Sequence, residues 1–401
     1  MKWTGPFRLS EDERDIAWVE EGARVTISNG WVFTDRIELR GLEGGQVERT
    51  FYRSGLKRDY HAEGRLFLVN AIARMIRSGM FASERVARFL KQGGPEAVLA
   101  EIDRLQSDSS YLKRVYYSAL LKQAELTPAL LTRLLDRVAK DISSDYEKAT
   151  LLVQILGEGS VTDEQRILAA RAVRSIGSDY EQRKVLSVAL AKPPLSEAMA
   201  VATIEATGSI GSAYDRGIVL GELARTGGVT ARSSAAFMAA VAGMSSGYEQ
   251  RKVLAQLVGL TPLPDGVAAA AAKAAASISS AHDKAEVLLE LVSKGGFSDE
   301  TAAPLFAAAS TITSSHDLGR VLRAIAARPN LSESQMTGLL RASSSISSSH
   351  DRAALLLELL KVQTLSTGAR QLLFDAAQGI SSTHDQNRVL AELVRTERRV
   401  R

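Results

Sequence analysis

The chain has 401 residues, 45% hydrophobic but only 5% aromatic, with a net charge of +4 and no cysteine. It is long enough to bury a large core, which Ala, Leu, Val and Ile must build, and that composition favours helices. The lack of cysteine excludes disulfides, thiolate metal sites and a cysteine nucleophile, and leaves the redox compartment open.

The charge excess belongs to the first 140 residues, with 23 basic against 19 acidic side chains; residues 141–401 carry 27 of each. A nucleic-acid binder concentrates basic residues on one face, so the neutral bulk argues against that partner. The basic end RTERRVR reads as a solvated tail.

In chain order, the opening MKWTGPFRLSEDERDIAW lacks a continuous apolar stretch, and no run of about 18 apolar residues follows, so neither a signal peptide nor a membrane span is expected. The segment ARVTISNGWVFTDRIELRGLEGGQVERTFYRSG is rich in β-branched and aromatic residues. Its turn signals at Asn29-Gly30 and Gly44-Gly45 predict hairpins, and so a small antiparallel sheet from about residue 15 to 62. Residues 1–62 are therefore read as a small β-rich domain. Residues 63–107 are read as a helical cap of three helices: RLFLVNAIARMIRSG, SERVARFLKQGG and PEAVLAEIDRLQ, the last opening on Pro95 after a Gly-Gly break.

From 108 to 401 the chain repeats. A residue behind a serine cluster recurs as Tyr111, Tyr146, Tyr180, Tyr214, Tyr248, His282, His316, His350 and His384, first after 35 residues and then every 34. An acid follows each from Glu147 onward: Glu181, Asp215, Glu249, Asp283, Asp317, Asp351 and Asp385. Each period holds two helix-start signals, such as Ser332 with Gln335 and Ser348 with Asp351. There the serine hydroxyl accepts from a first-turn N–H, and the acid is expected to reach back while sitting at the positive end of the helix dipole. Breaker strings such as AKPP, RTGG and SKGG separate the periods. Counted from the Tyr/His position, offsets +5 and +6 are apolar in every unit, and +9 and +10 nearly always are, which is one helical face. The first helix of each pair is Ala-rich, as in GVAAAAAKAAASIS, so neighbouring backbones can approach closely.

A pair of this kind cannot bury its face alone and must stack on its neighbours. The period equals that of tetratricopeptide repeats, but their Trp-Leu-Gly-Tyr pattern is missing, since Trp3, Trp18 and Trp31 all precede the array. The expected fold is mainly α: a right-handed α-solenoid of about eight to nine HEAT-like two-helix repeats behind a small N-terminal antiparallel β-domain.

The His-Asp pairs invite a hydrolase or metal reading. They lie on successive repeats, however, about 9–10 Å apart if the units stack, so one metal cannot join two rungs. No phosphate loop, nucleophile elbow or dinucleotide fingerprint occurs. No catalytic, cofactor-binding or metal-ligating residue is assigned, and no cofactor is expected. The candidate binding residues are the column Tyr146, Tyr180, Tyr214, Tyr248, His282, His316, His350 and His384. On a helical wheel, offsets 0, +1, +4 and +8 fall away from the apolar face, so the column lies at the core margin or on the exposed face. It would serve either as a packing ladder or as a row of contacts for an extended protein or peptide. The four histidines could also make the last repeats pH-responsive.

A competing reading is a nucleic-acid-binding or substrate-gripping repeat protein tied to an enzymatic activity, with a groove of Lys148, Arg183, Lys184, Arg251, Lys252 and Arg320. Those cations do not share one column, and Glu222, Glu290, Glu358 and Glu392 occupy offset +8.

The β-meander with VFTDRIELRGLEGG, then GRLFLVNAIARMIRSGMFASERVARFLKQGGPEAVLAEI and the SDYE units, resembles regions attached to some bacterial membrane sensor proteins, including BlaR/MecR-type metallopeptidases. The similarity covers about residues 18 to 260. It implies an extracytoplasmic attachment that senses a ligand or protein. This chain has no His-Glu-x-x-His, so no peptidase role carries over.

Overall fold

The computed structural model describes residues 1–30, 35–105, 109–125, 127–158, 161–192, 194–259, 263–294 and 297–400. Two compact units divide them: residues 1–127 with 140–151, and residues 128–139 with 152–401. Among the described residues, no helix is long and apolar enough to cross a membrane.

The first unit opens with strands β1 (Lys2–Thr4), β2 (Phe7–Leu9), β3 (Ile16–Val19), β4 (Arg24–Ser28), β5 (Arg36–Gly41), β6 (Val47–Arg53) and β7 (Leu56–Arg58). A five-stranded antiparallel sheet runs β1-β4-β5-β6-β7, and β2 pairs with β3 beside it. The sheet region thus begins at Lys2, well before the expected start near residue 15. Strands of three residues are too short to display alternation, and β1 gains its ladder from β4, where Trp3 faces Val25. The Asn29-Gly30 signal does not make a two-residue turn. The link spans Asn29 to Asp35, and Asn29 closes it by donating its N–H to the Asp35 carbonyl (3.2 Å) and accepting the Asp35 N–H on Oδ1 (3.0 Å). Residues 31–34 of that segment lie outside the described residues. Gly44 and Gly45 do carry the next turn, both at positive φ (73° and 77°), where L side chains are disfavoured.

Ile16, Val25, Ile37, Leu39 and Phe51 pack with Leu68 and Ile72 of α1 (Arg65–Arg77) into one apolar cluster. The two helices expected over 83–106 form one kinked element, α2 (Ala82–Arg104), bent at Gly93 and Gly94 ahead of Pro95. The helix α3 (Ser110–Gln123) follows.

Beyond α3, one helix of each pair is even-numbered: α4 (Pro128–Asp141), α6 (Asp163–Ala172), α8 (Glu197–Thr207), α10 (Ser234–Ala242), α12 (Asp265–Ala275), α14 (Asp299–Ala309), α16 (Glu333–Ser343) and α18 (Thr367–Gln378). The other is odd: α5 (Asp145–Gly157), α7 (Asp179–Leu190), α9 (Ala213–Arg225), α11 (Gly247–Val258), α13 (Ala281–Lys294), α15 (Ser315–Ala326), α17 (Ser349–Val362) and α19 (Thr383–Val400). From α6 onward each helix packs on the next of its own parity, and nearly all pack on their repeat partner, so the second unit is a two-layered α-solenoid.

The offsets singled out in the sequence make its core: Val185 and Leu186, Val219 and Leu220, Val253 and Leu254, Val287 and Leu288 are all fully buried. Burying one such side chain contributes roughly 1.5–3 kcal/mol, and the array does so in every repeat. Each hinge adds a buried anchor: Ile176, Ile210, Met244, Ile278, Ile312, Ile346 and Ile380. In the even layer the buried alanines of α12 pack against α14, and Gly338 of α16 admits the Phe306 ring, which would lie 2.6 Å from any Cβ there.

Candidate functional site

The odd helices of the second unit share one start. Ser178, Ser212, Ser246, Ser280, Ser314, Ser348 and Ser382 each stand two residues before the Tyr/His position, and each hydroxyl accepts the N–H three residues on. This is the expected N-cap. The reciprocal bond from the acid is not how that acid is used: capping boxes close the even helices α6, α14 and α16 instead. The acid is partly exposed or buried, at the margin of the core, and most of these acids pair with a base. Arg183 Nε lies 2.6 Å from Asp215 Oδ1 on the next repeat, and Arg251 Nε lies 2.8 Å from Asp283 Oδ1. Glu181, Glu249 and Asp385 pair within their own helices with Lys184, Lys252 and Arg388.

The column itself stands in solvent. Tyr180, Tyr214 and Tyr248 are 53–57% exposed, and His282, His316, His350 and His384 are exposed too. The rings do not seal one repeat against the next. They lie under cations: Arg183 is 4.9 Å from the Tyr180 centroid, Arg251 is 5.3 Å from that of Tyr248, and Lys252 stands between Tyr214 (5.8 Å) and Tyr248 (5.4 Å). A cation over an aromatic face is attracted by the ring quadrupole. Of the histidines, His282 faces an acid, with Nδ1 4.0 Å from Asp317 Oδ1. In the first unit Tyr111 and Tyr146 are exposed at the same offset, and Arg114 lies over the Tyr111 ring and pairs with Glu147.

The cations proposed as a basic groove are mostly neutralised. Besides the pairs above, Arg320 reaches Glu286 (2.8 Å) and Asp317 (3.4 Å), and the Glu286 hydrogen bond raises its pKa. Lys148 is buried, and burial lowers its pKa. Among the described residues, no group of three or more His, Asp and Glu is placed to hold a metal ion.

One pattern escaped the reading of a simple 34-residue period. YEQRKVL recurs identically at 180–186 and 248–254, and HDKAEVLLEL at 282–291 returns as HDRAALLLEL at 350–359, so repeats alternate in type. The offset +2 side chain explains the alternation. Gln250 Nε2 donates to the Ala242 and Met244 carbonyls of its own repeat (3.1 and 3.0 Å), and Gln386 likewise reaches Gln378. Lys284 instead donates to Thr311 Oγ1 (2.6 Å), and Arg352 to the Gly379 carbonyl (3.2 Å), both in the following hinge. Burial lowers the Lys284 pKa from its ordinary 10.5. On the Gln-type repeats the cations lie at the rings instead: Arg183 over Tyr180, and both Arg251 and Lys252 over Tyr248. The signal was available in the identity of YEQRKVL with itself at twice the period.

No family model matches the chain, and no curated protein matches it.

Proposed function

We propose that the chain is a non-enzymatic scaffold or sensory module that binds an extended protein or peptide segment along the odd-helix face of the second unit. The observation that carries this reading is the exposed column Tyr180, Tyr214, Tyr248, His282, His316, His350 and His384, one ring per repeat at a fixed offset, in helices whose other large apolar side chains are mostly buried. Structural need does not account for it, since the repeats are already stitched by buried Val, Leu and Ile and by hinge hydrogen bonds. Tyrosine gives large contact area with a polar tip at low cost in conformational freedom, which suits a peptide groove. Pairing of Arg183, Arg251 and Arg320 with acids disfavours a polyanion and supports a partner of mixed charge. A sensing role follows the resemblance drawn from the SDYE units and the β-meander.

The test is a random-peptide display selection on the whole chain. Selected peptides should bind Y180A/Y214A/Y248A at least about tenfold more weakly, while the melting curve is kept. Peptides that bind the variant as well as the parent, or a salt-dependent shift of DNA or RNA in its place, would overturn the reading.

A further inference from the structure

The first unit holds a pocket of about 530 Å³ that the repeat array does not explain. Its apolar wall is aromatic. Trp3 meets Phe7 edge-on at 6.2 Å, Phe7 meets Phe81 edge-on at 5.7 Å, and Met80 adjoins them. Trp3 nevertheless stays 53% exposed, so the wall opens to solvent.

Two further features make the pocket unlike an ordinary surface hollow. The first is strain. Only four non-glycine residues among the described ones take positive φ, and two of them serve this place: Phe81 (68°), whose ring lines the wall, and Glu13 (57°). Glu13 grips the guanidinium groups of Arg85 and Arg88, which also line the pocket. A bulky residue in the left-handed region persists only where its surroundings enforce it, and such positions gather at binding sites. The second is charge. Of the arginines that line it, Arg85 pairs with Glu13 and Glu101, and Arg88 with Glu13. Arg8 and Glu84 line the same pocket, yet neither has an ion-pair partner among the described residues. Arg8 lies 4.8 Å over the Trp18 ring, a contact that leaves its N–H donors able to meet a carboxylate.

An unpaired guanidinium and an unpaired carboxylate on one aromatic-walled pocket are complementary to a small zwitterion with an apolar body. We propose that this pocket binds an apolar α-amino acid or short peptide, with its carboxylate on Arg8, its ammonium on Glu84 and its side chain against Phe7 and Phe81. This site is independent of the odd-helix face.

The test is calorimetric titration of the whole chain with four probes: L-phenylalanine, L-phenylalanyl-L-phenylalanine, 3-phenylpropionate and phenethylamine. The two zwitterions separate a free amino acid from a peptide source, and the other two each lack one charge. At least one zwitterion should bind saturably with one-to-one stoichiometry, roughly tenfold or more tighter than either single-charge compound. R8Q and E84Q should each weaken it about fivefold or more without shifting the melting curve. F81G, which removes the ring from the apolar wall, should weaken binding. No saturable binding by either zwitterion, equal binding of a single-charge probe, or indifference to both R8Q and E84Q would overturn the assignment.

Discussion

The two units solve the same problem of buried polarity in opposite ways. In the first, Arg85 is buried and holds Glu13 and Glu101 at 2.7 Å each, as well as the Tyr116 hydroxyl. Every partner comes from a different part of the chain. In the second, polarity is dispersed into small recurring bonds: Asp179 accepts the N–H groups of Gly211 and Ser212, Ser315 those of Ser347 and Ser348, and Asp299 the hydroxyl of Ser332. A concentrated network fails when one member is lost, whereas a distributed one fails by degrees.

Substitutions should sharpen that contrast. The largest loss is expected for Arg85→Ala, which takes the buried cation from Glu101 and leaves Glu13 with Arg88 alone, and should cost about 3–5 kcal/mol, read by urea unfolding and by faster hydrogen exchange in α2. Gly338→Leu places side-chain atoms where the Phe306 ring lies and should cost about 1–3 kcal/mol, with faster exchange confined to α14, α16 and their neighbours. Ser280→Ala removes one N-cap among many and should cost about 1 kcal/mol by the same measurement. Tyr214→Ala, on the open face, should change stability by less than about 0.5 kcal/mol. A loss from Ser280→Ala as large as that from Arg85→Ala would break the comparison.

Acid should separate the units as well. Burial pushes the Glu13 carboxyl up, but hydrogen bonds from Arg85 and Arg88 outweigh it and hold its pKa below the ordinary 4.5. A carboxylate depressed on folding stabilises the native state above its unfolded pKa, and that contribution is lost as pH falls through the folded value. On acidification below about pH 4.5, exchange in α2 should therefore accelerate, and in Glu13→Gln this acid-dependent step should be absent.

The array was legible because its signals are local. A serine three residues before an acid, apolar side chains at +5 and +6, and a breaker every 34 residues each act within one or two turns of helix. What escaped was set across repeats. The carboxylate of Asp215 looked like half of a capping box until Arg183, 32 residues earlier, claimed it. Gln250 and Lys284 differ because one closes its own hinge and the other the next, which spacing within one period cannot reveal. In the first unit, Glu13, Arg85 and Glu101 meet across 16 to 72 residues with no periodicity to announce them. The exposed column fell between these cases. Its position was readable, but the wheel alone left open whether the rings face solvent or the neighbouring repeat, and in the structure more than half of Tyr180, Tyr214 and Tyr248 is exposed.

The most direct measurement is a hydrogen-exchange footprint of the whole chain with a selected peptide bound. Protection is predicted over the first turns of α7, α9 and α11, around Tyr180, Tyr214 and Tyr248, and it should vanish in Y180A/Y214A/Y248A. Protection confined to the even helices, or unchanged in the variant, would contradict an odd-helix binding face.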